Sequence, residues 1–219
     1  MLIYSDGDKM DYLHQPVHQA GQVSFTDKGI AAWTIGSFLH LSDGRSVQLP
    51  AYANIAPVSP CGDYVVSNDR EDQLWLTHIN TGEQKRISPV LKPGFFNPEW
   101  SPGGNHILFS SLAGVLYVYS LENGTTKELT DGLSPVWKDN ETVIFHKIQI
   151  EKDQAVNSDI YSCTIKNGIV SPLTQTKDIF EMEPSWDRIN NRLLYHTFEI
   201  KQFTSSIPVQ KNQGKSCLR

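Results

Sequence analysis

Five turn glycines recur through this chain at nearly constant spacing, and that spacing limits its fold more than any other feature. Gly7, Gly44, Gly82, Gly124 and Gly168 lie 37, 38, 42 and 44 residues apart. Each follows a β-rich alternating run: MLIYS at 1–5, FLHLS at 38–42, LWLTHI at 74–79, LYVYSL at 116–121 and IYSCTI at 160–165. Asn123-Gly124 is the clearest case, because a two-residue hairpin turn of type I′ needs positive φ at both centre positions. Five residues after four of the glycines stands an apolar anchor (Leu49, Ile87, Leu129, Leu173); after Gly7 the match slips to Tyr12 or Leu13.

The best-formed copy is Asn97–Thr130. Pro98-Glu99-Trp100-Ser101 forms a first strand, HILFSS at 106–111 a second, LYVYSL a third, and Thr125–Leu129 a fourth. Elsewhere Trp137 and Trp186 repeat the role of Trp100, each two residues after a proline (Pro135, Pro184), while Phe25 and Val58 take that place in weaker copies. Second strands follow at IAAWT 30–34, YVVS 64–67, TVIFHK 142–147 and LLYHTF 193–198. Large apolar groups at these places fill the space between stacked sheets. Four short strands per unit of roughly 40 residues is the blade pattern of a β-propeller. The chain opens on a third-strand pattern and ends on a first and second strand, two complementary halves. The expected fold is therefore all-β, a five-bladed propeller of four-stranded antiparallel blades. Its blades span about 21–50, 54–89, 95–131, 133–176, and 182–200 completed by 1–15, in one domain over 1–202 with a polar tail at 203–219.

Net charge of −5 and a pI near 5.8 argue against a phosphate-backbone partner. No apolar run approaches the ~20 residues that span a bilayer, and residues 1–15 have neither the basic nor the apolar region of a signal peptide. A cytoplasmic monomer is expected, or a periplasmic one if a leader has been removed. Cys61, Cys163 and Cys217 are too few and too far apart for a disulfide framework or a zinc pattern.

Pro98-Glu99-Trp100-Ser101-Pro102-Gly103-Gly104, followed by ILFSS, LYVYSL, Asn-Gly and KELT, resembles the TolB-type, WD40-like propeller repeats. That repeat closes its inner strand on a Trp-Ser-Pro-Asp-Gly turn and its fourth strand on Leu-Thr. Leu129-Thr130 and Leu173-Thr174 match the latter. SPCGD at 59–63 and SPGGN at 101–105 match the former, with Cys61 and Gly103 in place of the aspartate, whereas KDNE at 138–141 and DRINN at 187–191 keep only turn chemistry. The resemblance covers most of residues 21–200. It implies a propeller, and it leaves function open because the family includes both scaffolds and enzymes.

Candidate site residues follow from the blade geometry, which gathers the fourth-to-first and second-to-third strand loops on one face. Gln22, Asn97, Ser134 and Glu183 start inner strands there, and Asp69 and Arg70 lie in a second-to-third loop. The longest such segment, KIQIEKDQAVNSD at 147–159, is about ten residues longer than its counterparts and is expected to be a loop. His146 and His196 occupy matched places where other copies carry Thr34, Ser67 and Ser110. Beside Glu183 the two imidazoles could act as acid and base or as metal ligands, or simply bond within the inner layer; His14 and His18 are weaker candidates. Asp69, Asp72, Glu99 and Glu183 supply carboxylates for a glycosidase pair if two of them converge. No nucleophile elbow, zinc-protease motif, phosphate loop or calcium loop is present, so no cofactor and no metal are implied.

Two functions follow. The first is a non-enzymatic scaffold binding a protein or peptide on the loop-rich face, which requires exposed apolar surface there. The second is a carbohydrate-active or other small-ligand enzyme at the channel mouth, which requires convergent carboxylates and imidazoles in a deep pocket.

Overall fold

The computed structural model describes residues 3–5, 10–12, 20–90, 94–177 and 179–199. Every regular element in them is a strand. A hairpin of β1 (Ile3–Ser5) and β2 (Met10–Tyr12) comes first, Ile3 pairing with Tyr12. The first blade is β3 (Ser24–Phe25), β4 (Ala31–Ile35), β5 (Phe38–Leu41) and β6 (Ser46–Gln48), paired in chain order. The second is β7 (Tyr64–Asn68), β8 (Leu74–His78) and β9 (Gln84–Arg86); its inner strand is reduced to one bridge, Val58 to Val65. The third, β10 (Phe95–Trp100), β11 (His106–Ser111), β12 (Val115–Ser120) and β13 (Thr125–Asp131), is the fullest.

The fourth blade holds β14 (Leu133–Trp137), β15 (Thr142–Glu151), β16 (Gln154–Thr164) and β17 (Val170–Pro172). Here one expectation is corrected. Residues 147–159 are not a loop: β15 and β16 run through them and turn at Lys152-Asp153, both at positive φ (49° and 62°). Ile148 and Ile150 alternate in the strand manner, and a two-residue turn with both centres left-handed matches the twist of paired strands. β18 (Ile179–Asp187) and β19 (Arg192–Glu199) follow as an antiparallel pair. The lengthened β16 reaches β18 through one parallel bridge, Ser158 to Phe180, and joins both strands to the fourth blade in a six-stranded sheet. Among the described residues β1 and β2 pair only with each other. The rest of 1–19, the tail from 200 and with them His14 and His18 lie outside the described residues.

Alternation along each second strand decides which blades stick together. Val65 enters a core shared with Ala32, Leu39 and Leu49, whereas its neighbour Val66 enters one shared with Phe95, Trp100 and Ile107. Ile107 stays in that second core, and Leu108 turns to a third with Trp137, Val143 and Phe145. Successive residues face opposite sides of a sheet, so the second and third blades each cement two neighbours. The tryptophans also tie blade to blade: the Trp100 indole donates to the Pro57 carbonyl at 2.9 Å, and Trp137 to the Glu99 carbonyl at 3.1 Å. Pro57 and Glu99 each precede the first-strand anchor of their own blade, so the two bonds are equivalent. Ser59 and Ser101, both wholly buried, hold the following turns, accepting from Tyr64 N–H at 3.0 Å and His106 N–H at 3.1 Å.

Candidate functional site

Three inner strands carry the same irregularity. Asn97, Ser134 and Glu183 have φ of 51°, 48° and 51°, each immediately before a proline, and pairing with the second strand skips a step there. Proline has no N–H for the ladder, so the strand bulges around it. Gln22 and Ile55, the corresponding residues of the first two blades, precede Val23 and Ala56 and show no positive φ. The bulge therefore follows the proline; Asn97, Ser134 and Glu183 are exposed, as are Gln22 and Ile55 without it.

A cavity of about 500 Å³ runs along the inner strands and is lined by Gln22, Asn97, Glu99, Pro135 and Arg188. Glu99 is its half-buried carboxylate. Burial pushes its pKa up to about 7, against the pull of Arg188 and of the Trp137 backbone N–H. Asp72 lines a different, smaller cavity of about 220 Å³, together with Ile55, Phe95, Phe96 and Leu112. The four carboxylates considered for a glycosidase pair are thus distributed: Asp69 in a turn, Asp72 and Glu99 in separate cavities, Glu183 on the open face.

The histidine pair does meet Glu183. Its backbone N–H donates to His146 Nδ1 at 3.4 Å, and its Oε2 lies 3.1 Å from His196 Nδ1. The two imidazoles differ sharply in setting. His146 is buried, and that burial lowers its pKa while Glu183 pulls the other way. The His196 and Glu183 side chains are 78% and 61% exposed, so this pair is a solvated surface contact worth little. Among the described residues no three His, Cys, Asp or Glu side chains converge to hold a metal.

Register refines the matched positions. Val58–Val65 corresponds to Trp100–Ile107, which makes Asn68, not Ser67, the counterpart of Ser110, His146 and His196. Thr34 Oγ1 donates to Ala53 O at 2.6 Å and Asn68 Nδ2 to Phe95 O at 2.7 Å, two equivalent tethers from a second strand to the next blade's inner strand. His146 makes the same kind of link by accepting from Glu183. Asp69 is committed as well: Oδ1 accepts from the Glu71 and Gln73 N–H groups at 2.9 Å, and Oδ2 from the Trp75 indole at 2.7 Å. Arg70 is exposed and makes no ion pair among the described residues.

What sequence reasoning missed is apolar. Among the described residues fifteen large hydrophobic side chains are exposed, and ten lie on the face of fourth-to-first and second-to-third connections. They are Phe38, Tyr52, Ile55, Val90, Phe96, Leu112, Leu133, Ile148, Ile150 and Leu173. Their positions at loop ends could have been read from the repeat alignment, but their exposure could not.

No family model and no curated protein sequence matches the chain. Solved structures do. A putative TolB from Agrobacterium tumefaciens superposes with a TM-score of 0.57 at 13% identity, over 89% of this chain and 76% of that one. The fold is that of a β-propeller. The propeller domain of Cps50 (Swd1) from Myceliophteria thermophila gives 0.56 at 12% identity, again over 89% and 76%. The tricorn protease gives 0.61 at 16% identity, over 87% of this chain and 21% of that one. The resemblance to TolB-type and WD40-like propellers thus holds at the level of architecture, and at these identities it carries fold alone.

Proposed function

We propose that this propeller is a non-enzymatic scaffold that docks a protein or peptide on its face of fourth-to-first and second-to-third connections. The observation that carries the reading is the concentration there of ten of the fifteen exposed large hydrophobics. Contiguous apolar surface rimmed by polar groups is what interaction sites look like on soluble proteins. Against catalysis at the channel mouth, His146 is buried and its Nδ1 engaged, Asp69 is spent on a turn, and Glu183 and His196 lie open to water. Gln22, Asn97, Ser134, Glu183, His196 and Arg70 then act as polar rim groups.

The test is a selection from a displayed peptide library on the immobilised protein. Counter-screening uses a variant with Ile55→Ser, Phe96→Ser and Leu112→Ser, positions 44%, 37% and 76% exposed and therefore tolerant of change. Selected peptides that bind wild type and lose at least tenfold on the variant support the docking face. Peptides indifferent to the variant refute it.

We infer further that the domain spans 1–202 as a monomer and closes as five blades, the hairpin of β1 and β2 supplying the last blade's outer strands. Leu194 and Tyr195 are 56% and 36% exposed, whereas Leu108 and Phe109, their counterparts in the complete third blade, are wholly buried. An inner strand pair built like the third blade's thus still offers apolar surface to outer strands. Deleting residues 1–13 should abolish cooperative thermal unfolding; an intact cooperative melt would overturn this closure.

A further inference from the structure

The small cavity on the docking face has a shape and a charge that define its occupant. Phe95 forms its floor, and Ile55, Phe96, Pro98 and Leu112 form its walls. Gly94 keeps it in shape: a Cβ there would lie 2.3 Å from Leu112 Cδ1, and the residue sits at φ 82°. At about 220 Å³ the space is below the ~300–1,000 Å³ that small-molecule sites occupy. It suits one side chain of a chain lying across the face. Tyr52 and Leu133, 51% and 39% exposed, extend the apolar surface beyond the cavity on the neighbouring connections.

The charge around it is acidic. Asp72 lines the cavity itself, and the run Asp69-Arg70-Glu71-Asp72 sums to −2 (three carboxylates, one guanidinium). Arg70 is the cation within that run and is already counted in its sum, while Lys147 of the fourth blade is paired with Asp131 at 2.9 Å and also bonds Thr130 Oγ1 at 3.1 Å. Glu183 adds a further carboxylate, 61% exposed. The net charge of the whole chain is −5, so the surroundings reinforce this local potential.

We propose that the docking face takes an extended basic peptide segment of a partner protein. One large apolar side chain of that segment seats between Ile55, Phe96 and Leu112, and its Lys or Arg residues meet Glu71, Asp72 and Glu183. This assignment rests on the docking-face reading above and adds the chemistry of the partner. An apolar anchor in a desolvated pocket supplies most of the binding energy in such contacts. Rim charges contribute on-rate, salt dependence and the choice of partner.

Three fluorescein-labelled twelve-residue peptides test it by anisotropy against the full chain: lysine-rich with a central Phe, the same with Glu for every Lys, and the same with Ser for Phe. The first should bind, with the other two roughly tenfold weaker or worse. Raising salt from about 50 to 300 mM should weaken the first peptide, since the Debye length shrinks below the charge separations. Leu112→Ser should weaken it about tenfold, and Asp72→Asn with Glu183→Gln roughly two- to fivefold per charge while flattening the salt dependence. If the Glu peptide binds as tightly as the Lys peptide and Leu112→Ser weakens both, the basic assignment is overturned and the docking face stands. Equal binding of all peptides to wild type and Leu112→Ser, or no binding up to about 1 mM, overturns both.

Discussion

Glu99 makes the stability of this protein depend on pH in a direction opposite to that of most carboxylates. A glutamate in the unfolded chain titrates near 4.5, whereas in the folded cavity burial raises it to about 7. Between those values the native state keeps a proton that the unfolded state has lost, so stability falls as pH rises through the window and stays lower above it. The gap of about 2.5 pH units corresponds to about 3 kcal/mol. Glu99→Gln removes the charge while keeping an oxygen for the Trp137 N–H. The variant should melt like wild type near pH 4.5 and higher at pH 8, by roughly 6–12 °C for a chain of this size. His106 and His146, both held below the ordinary histidine value by burial, act in the opposite sense below pH 6.5. They contribute equally to both proteins and cancel in the difference. Circular-dichroism melts of the pair at half-unit steps from pH 4.5 to 8 are the measurement. An advantage for Gln that is the same at every pH, or absent at pH 8, would refute the buried, proton-holding carboxyl.

Three further outcomes are expected. Trp137→Phe keeps the ring but strips the Glu99 carbonyl of its 3.1 Å donor, which should cost about 1–3 kcal/mol in urea titrations, while Trp186→Phe, at a half-buried site, should cost less. Gly132→Ala would place a Cβ 2.4 Å from the buried Phe145 ring; overpacking of this kind costs about 1–3 kcal/mol, and a neutral result would show that the ring has room to move. His146→Gln should remove part of the acid sensitivity below pH 6.5, because a histidine whose folded pKa is depressed contributes stability that is lost as pH falls through that value. Unchanged acid unfolding in that variant would mean that the imidazole titrates as it does in the unfolded chain.

The architecture was legible because it is written several times. Trp100 and Trp137 sit at a fixed offset from prolines and turns, and repetition converts a weak local signal into a reliable one. The 147–159 segment was misread for the same reason in reverse. It has no counterpart in the other copies, so it looked like a loop insertion although Ile148 and Ile150 alternate and the Lys152-Asp153 turn closes a hairpin. The Asn68 assignment needed the pairing register, which an inner strand reduced to the single Val58–Val65 bridge hides. The raised pKa of Glu99 could not be read at all, since it arises from burial in a cavity that inner strands of four blades and Arg188 line together. The candidate site was legible in part: Glu183, His146 and His196 do come together, but only the structure distinguishes the buried imidazole from the solvated one.

That distinction bears on where function resides. Thr34, Asn68 and His146 occupy one place in the second strands of the first, second and fourth blades, and each uses its polar atom to bind the next inner strand along the chain. Hydroxyl, amide and imidazole are chemically unlike, yet the geometry asks of them only a single bond across a narrow gap, and any group of suitable reach serves. A residue type that varies while its bond persists is selected by architecture, so the imidazole of His146 needs no reactive role to explain it. The same test separates the bulges: their left-handed backbone follows from the proline, but the side chains they expose, Asn97, Ser134 and Glu183, are free to differ because nothing structural depends on them. Together with the apolar groups beside them, these vary from blade to blade on a frame that does not. A surface of this kind can present a different contact from every blade, which suits recognition of an extended partner better than the convergence of a few groups that catalysis requires.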